Sequence, residues 1–233
     1  MNSRELFYPD GKSLHKVVVG QSGSGKSYFL EAVAGDFLKE NKDPNWRLIY
    51  FSPKNEGFIE LLPKKKKSEE VIGLVNSVEG MMESMRENFL TVFYPDTFGL
   101  DETMDETINA LFDFKEVNPD FKATLVIDDA QVFLSARKES SESQRRLALL
   151  GRSRELNAVY VSHAVVLNKS LEAQVETLVF FSLPAKIHWK ATDERYGFNP
   201  EPYIEELRST PYSYVVVDVR TGNASMMNPI LLE

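Results

Sequence analysis

The chain has 233 residues, 42% hydrophobic and 27% charged, with 35 acidic side chains against 27 basic ones and a net charge of -8. That length suits one large domain with a sizeable core, residues 1–233 together, and two full domains are not expected. The absence of cysteine excludes a disulfide scaffold, a cysteine-ligated metal and a thiol nucleophile, and the acidic total confines any nucleic-acid contact to a local basic stripe.

Short β-branched runs alternate with longer amphipathic stretches, the pattern of an α/β domain on a mostly parallel sheet. Predicted strands cover residues 16–19 (KVVV), 47–51 (RLIYF), 89–94 (FLTVFY), 124–127 (TLVI), 158–162 (AVYVS), 177–182 (TLVFFS) and 214–219 (YVVVDV). Several are apolar throughout, as in strands covered by helices on both faces. After the first strand, Leu30, Val33 and Phe37 share one helical face, and before the fourth, Met104, Ile108, Leu111 and Phe112 share another. A third helix is predicted over 143–156. Residues 214–219, a turn at 220–223 (RTGN) and residues 224–231 read as a closing β-hairpin with a glycine turn. The predicted core spans about 15–185, with a C-terminal helix and hairpin over about 186–233. Loops are expected at 53–68 and 135–143, both rich in charge. No apolar run approaches the roughly 18 residues of a membrane span, and residues 1–10 lack the apolar stretch of a signal peptide, so the chain is expected to stay inside the cell that makes it.

Residues 20–27 read GQSGSGKS, which fits G-x-x-x-x-G-K-[ST] and sits between an apolar strand and an amphipathic helix. Gly20, Gly23 and Gly25 let the backbone curl so that successive N–H groups, from Gln21, Ser22 and Ser24 as well, face a phosphate, and the helix N-terminus adds partial positive charge. In this P-loop reading Lys26 reaches the β- and γ-phosphates of ATP, Ser27 ligates Mg²⁺, and Tyr28 closes the nucleotide-binding stretch. The matching carboxylate is expected where an apolar run ends in acid, and residues 124–130 (TLVIDDA) supply it. Asp128 is the expected metal ligand. Asp129 is placed to orient or deprotonate an attacking water, which favours hydrolysis over transfer to a bound acceptor.

Downstream, the predicted strand 158–162 ends in Ser162 and His163, candidates for sensing the γ-phosphate, although a strand-end histidine also serves as an ordinary hydrogen-bonded group. Arg152 and Arg154 precede that strand and are candidate arginine fingers for a neighbouring subunit's nucleotide; solvated helix-end arginines are the other reading. The stretch 137–154 holds six basic and two acidic residues, a net of +4, and with Lys64 to Lys67 it is a candidate DNA-phosphate contact. Phe7 and Tyr8 are candidates for the adenine pocket.

The combination GQSGSGKS, LVIDDA, GRSRE and AVYVSHA, in that order, resembles the FtsK/HerA-like branch of P-loop ATPases, and within it the viral genome-packaging ATPases of tailless membrane-containing viruses and of short-tailed phages. The likeness covers roughly residues 17–182. It implies a sheet of the additional-strand type and a homo-oligomeric ring, a pentamer or hexamer. Such a ring threads double-stranded DNA through its pore into a preformed capsid and docks on a portal or vertex protein. It further implies ATP and Mg²⁺ as cofactors and the host cytoplasm, at the packaging vertex, as the location, with retention in the virion left open. Lys26, Ser27, Asp128, Asp129 and an arginine at 152 or 154 carry over in the family's roles. Two positions depart from the family pattern: Asp129 stands where glutamate is usual, and His163 where glutamine or asparagine is common. Alternatives are a filamentous-phage-type assembly or secretion ATPase and, from another class, a P-loop kinase.

Overall fold

The computed structural model describes residues 15–53, 72–96, 98–133, 139–164, 167 and 169–230. Phe7, Tyr8, Lys64 to Lys67, Arg137 and Lys138, and the loop predicted at 53–68 apart from its first residue, lie outside the described residues.

Among the described residues nine strands form one sheet: β1 (His15–Val19), β2 (Trp46–Phe51), β3 (Ile72–Val75), β4 (Leu90–Phe93), β5 (Lys122–Ile127), β6 (Leu156–Ser162), β7 (Val175–Phe180), β8 (Tyr214–Asp218) and β9 (Ala224–Met227). Their order is β3-β4-β2-β5-β6-β1-β7-β8-β9. The first seven strands pair in parallel; β8 and β9 run antiparallel as the closing hairpin. Strand β6 separates β1 from β5, so the fold is the additional-strand α/β type expected from the sequence. Both sheet edges are short strands of four residues, which limits edge-to-edge pairing.

The helices are α1 (Lys26–Glu40), α2 (Val78–Glu87), α3 (Leu100–Val117), α4 (Glu142–Leu150), α5 (Lys169–Glu172), α6 (Lys186–Tyr196) and α7 (Ile204–Ser209). Because side chains alternate along a strand, the core divides by parity. Val18, Leu48 and Tyr50 join Phe29, Leu30, Val33 and Phe37 of α1 on one face. Val17, Val19, Ile49 and Phe51 join Met81, Met104, Ile108, Leu111, Leu147 and Trp189 on the other. Each such buried side chain contributes about 1.5–3 kcal/mol. The faces predicted for α1 and α3 are the faces buried.

Several elements differ from expectation, and the helices α2, α5 and α7 were not predicted individually. Strand β3 was not predicted: it is four residues, IGLV, with a glycine inside and Leu74 exposed at the sheet edge, so it carries no alternation to detect. The helix predicted over 143–156 ends at Leu150. There only glycine fits: a Cβ on Gly151 would lie 2.4 Å from the carbonyl oxygens of both Leu147 and Leu156. The chain turns through a 3-10 segment, Arg152–Arg154, and Glu155 takes a left-handed φ of 55° before β6 begins. At the other end of α4, Ser141 and Gln144 form a capping box, so the helix starts inside the loop predicted at 135–143. The second hairpin strand stops at Met227, short of the expected 231.

Candidate phosphate site at the strand ends

Registers pairing Val19 with Ser162 on one side and Phe180 on the other bring the ends of β6, β1 and β7 level. The loop leaving β1 is stitched to both neighbours: the Gly20 N–H donates to the Ser162 carbonyl at 3.2 Å and the Gln21 N–H to the Ser182 carbonyl at 3.0 Å. Gly23 and Gly25 adopt φ of 75° and 103°, conformations that favour glycine. At Gly20 a Cβ would come 2.5 Å from that of Phe181 and 2.6 Å from the Ser24 hydroxyl. The glycines of the motif are therefore required by this backbone, and the loop opens directly onto the N-terminus of α1, an anion-binding geometry. That cradle and the donor set around it fit a polyphosphate.

Lys26, the first residue of α1, is buried, and its ammonium donates to the carbonyls of Gly20 at 2.7 Å and Gln21 at 3.0 Å. It also lies 3.2 Å from His163 Nδ1. An ammonium only donates, so Nδ1 accepts and the imidazole proton sits on Nε2, 3.1 Å from Asp129 Oδ1. His163 thus bridges the loop lysine and the second acid. Ser27, the next residue of α1 after Lys26, is exposed. Ser162 does not share in this contact: its hydroxyl donates to the Ala164 carbonyl at 2.6 Å and closes the strand end.

The two acids differ. Asp128 follows β5, and its carboxylate accepts from the Tyr50 hydroxyl and from the Asp129 N–H, each at 2.9 Å. Burial raises its carboxyl above the usual range and Asp129 adds to the rise, while Tyr50 and Lys26 oppose it. Burial and Asp128 together push the Tyr50 phenol well above its ordinary value. Asp129 is only 3% exposed and has a left-handed φ of 50°. Gln131 Nε2 donates to its Oδ1 at 3.0 Å, and Gln131 Oε1 accepts from the His163 N–H at 3.3 Å. Beneath the site, Glu31 of α1 is 1% exposed with neither carboxyl oxygen hydrogen-bonded, and burial pushes it up to about 8, so it is neutral at pH 7.

Among the described residues no group of three or more His, Cys, Asp or Glu is arranged to hold a metal. The Ser27 hydroxyl and the Asp128 carboxylate are oxygen donors, the ligand class that magnesium takes alongside phosphate and water. Tyr50 and Gln131 were missed by the sequence reasoning. Tyr50 stands 78 positions from Asp128, with no motif to flag it; Gln131 follows the acid pair closely enough that its spacing was available as a signal.

Arg152 and Arg154 are exposed, but they precede β6 whereas His163 follows it. The seven residues of β6 put about 20 Å between them, so neither arginine reaches the phosphate loop of its own chain. Within the basic stretch, Arg146 is engaged with Glu116 at 3.3 Å and lies over the Phe112 ring at 4.2 Å, while Arg145 is exposed.

No family model matches the sequence, and a search of curated protein sequences returns no match. Solved structures do share the fold. The chain is similar to the genome packaging NTPase B204 from Sulfolobus turreted icosahedral virus 2 in complex with ATP-gammaS, with a TM-score of 0.70 and 16% identity over 99% of this chain and 100% of that one. It is also similar to the cytoplasmic domain of the Thermomonospora curvata Type VII secretion ATPase EccC, at a TM-score of 0.62 and 13% identity, covering 92% of this chain and 25% of that one. A third is EssC (ATPases 2 and 3) from Geobacillus thermodenitrificans, at 0.59 and 10%, covering 94% and 40%.

Proposed function

We propose that this chain is an ATPase that drives double-stranded DNA into a preformed viral capsid, acting as a homo-oligomeric ring on a portal or vertex protein. The observation that carries the ATPase reading is the Lys26–His163–Asp129 bridge, which ties a phosphate-binding lysine to a buried carboxylate across the ends of three neighbouring parallel strands, β1, β6 and β5. The packaging reading draws its support from the likeness to B204, which extends over essentially the full length of both chains.

ATP with Mg²⁺ supplies the anhydride bond whose hydrolysis drives movement. The amides of the loop at 20–25 and the Lys26 ammonium bind the phosphate oxygens; Ser27 and Asp128 would hold Mg²⁺, which would offset the charge on the phosphate oxygens. Asp129 takes the proton of the attacking water. His163 and Gln131 both grip its Oδ1, which fixes the carboxylate plane. The three N–H donors of Lys26 are engaged by the Gly20 and Gln21 carbonyls and His163, so meeting a phosphate costs at least one of these contacts, and the imidazole is the partner whose release reaches the acid. Phosphate arrival is thereby felt at Asp129 through one imidazole. Arg152 or Arg154 completes the site of the adjacent subunit. DNA contact falls to one of the two basic segments, 137–154, where Arg145 is exposed, or Lys64 to Lys67.

The test is steady-state ATP turnover over a range of protein concentrations, without nucleic acid, with double-stranded DNA and with single-stranded DNA. Turnover per chain is expected to rise with protein concentration and with double-stranded DNA, and the stimulation to weaken as salt increases. Turnover indifferent to both would remove the translocase reading and leave an ATPase of another kind. Lys26→Ala is expected to abolish turnover.

A further inference from the structure

Tyr28 and Tyr212 stack beside the phosphate loop, ring centroids 5.8 Å apart and planes at 21°. Tyr28 follows Ser27 in the first turn of α1, whereas Tyr212 arrives from the turn between α7 and β8, so the pair joins the two sides of the loop. Tyr212 has a φ of 64°, a conformation uncommon for a bulky side chain, and its ring is half exposed. Its neighbours are tied down: the Ser213 N–H and hydroxyl both donate to the Thr210 carbonyl, at 3.2 and 2.7 Å. Tyr214 is buried against Phe29 and Phe181, centroids 4.9 and 5.3 Å away. An exposed aromatic ring is thus held in a sparsely populated backbone conformation by a rigid turn, the kind of strain that collects at ligand clamps.

The loop is shaped to admit that ring. A Cβ on Gly25 would come 2.7 Å from a Tyr212 ring carbon. Sheet order then sets direction. Asp128, Asp129 and His163 follow β5 and β6, on one flank of β1, and Tyr212 precedes β8, on the other flank beyond β7. Because β8 is antiparallel to β7, the start of β8 lies at the edge where β1 and β7 end. A triphosphate with its terminal phosphate toward the acids carries its base toward the tyrosines.

Building on the nucleotide reading above, we propose that Tyr212, backed by Tyr28 and seated on Gly25, is the stacking platform for the nucleotide's purine ring. Stacking uses the π-face of the base and not its hydrogen-bonding edge, so the platform favours purines over pyrimidines by contact area and separates adenine from guanine poorly.

The experiment is calorimetric titration of the full chain with Mg²⁺ and, in turn, ATP, GTP, UTP and inorganic tripolyphosphate. Tyr212→Gly suits the left-handed backbone and removes only the ring. It is expected to weaken ATP and GTP about tenfold or more, which is the scale of one base–aromatic stack, and to leave tripolyphosphate within about twofold. Tyr212→Phe should restore purine affinity. Wild-type ATP affinity in Tyr212→Gly overturns the platform and leaves nucleotide binding intact. Equal loss of ATP and tripolyphosphate also overturns it, since the residue then shapes the loop and does not hold the base. A wild-type chain that binds neither ligand overturns the nucleotide reading itself and the platform with it.

Discussion

His163 touches Lys26 through one ring nitrogen and Asp129 through the other, so its two contacts are separable by substitution. His163→Asn keeps a donor and an acceptor but shortens the reach; His163→Ala removes both. If the imidazole positions Asp129, the alanine variant should lose about 10²-fold in kcat with little change in KM, and asparagine should recover part of it. A matching rise in KM would assign His163 to substrate binding instead. The residues of this site were unequally legible. GQSGSGKS and the acid pair are short motifs whose chemistry is local, so spacing alone disclosed them. Tyr50, which holds Asp128 from the neighbouring strand, and Tyr212, which reaches the loop from near the chain's end, meet their partners only after the sheet has assembled.

Helix α4 and strand β6 were read as nearly continuous helix and strand because nothing in LLGRSRELN announces a reversal except one glycine. The reversal is what separates the arginines from a regular helical surface and leaves them exposed at the start of β6. It is also well anchored: Glu155 pairs with Lys115 at 3.0 Å and Lys122 at 3.5 Å. Arg152→Ala is expected to leave ATP affinity unchanged and to reduce turnover by about 10³-fold or more in the assembled protein. Equal residual turnover in dilute and assembled wild-type chains would assign that arginine no part in catalysis. The helices α1 and α3, by contrast, were legible because three or four large apolar residues at helical spacing leave one face to bury, and each found a face of the sheet.

Across the whole molecule, two buried ionisable groups set opposite responses to pH. His15 begins β1, donates from Nε2 to the Leu147 carbonyl at 3.0 Å and accepts at Nδ1 from the Ala158 N–H at 3.0 Å, pinning β1 to α4 and β6. Burial lowers it from 6.5 to about 4, so the unfolded chain takes up its proton first as pH falls. Its stabilisation is complete above pH 6.5 and declines toward pH 4, by about 3 kcal/mol in total. Glu31 runs the other way: raised from 4.5 to about 8 by burial, it favours the folded state fully below pH 4.5 and loses that contribution as pH rises through 8. Between about pH 4.5 and 6.5 the two slopes oppose, and wild-type stability should be nearly flat. Urea unfolding of Glu31→Gln is expected to show stability rising with pH across that window, and His15→Asn stability falling. A wild-type slope unchanged by either substitution would mean that neither group keeps its buried environment. The fold class was legible from alternating strands and helices. Of the strand order, only the place of β6 between β1 and β5 was anticipated, through the family resemblance; the rest depends on which parallel neighbours pair across long connections.

The arginine turn and the phosphate loop occupy opposite ends of the same strand pair, β6 beside β1. A contact that brings one chain's arginines to another chain's loop therefore joins two different surfaces, and a two-fold symmetric dimer would not need to arise. Repeated, such a contact closes into a ring or runs on as a filament, and every subunit lends to one neighbour while borrowing from the other. Defects in the two surfaces then fall in different chains and can complement. Random co-assembly of inactive Lys26→Ala chains with inactive Arg152→Ala chains would regenerate an intact junction at about one contact in four.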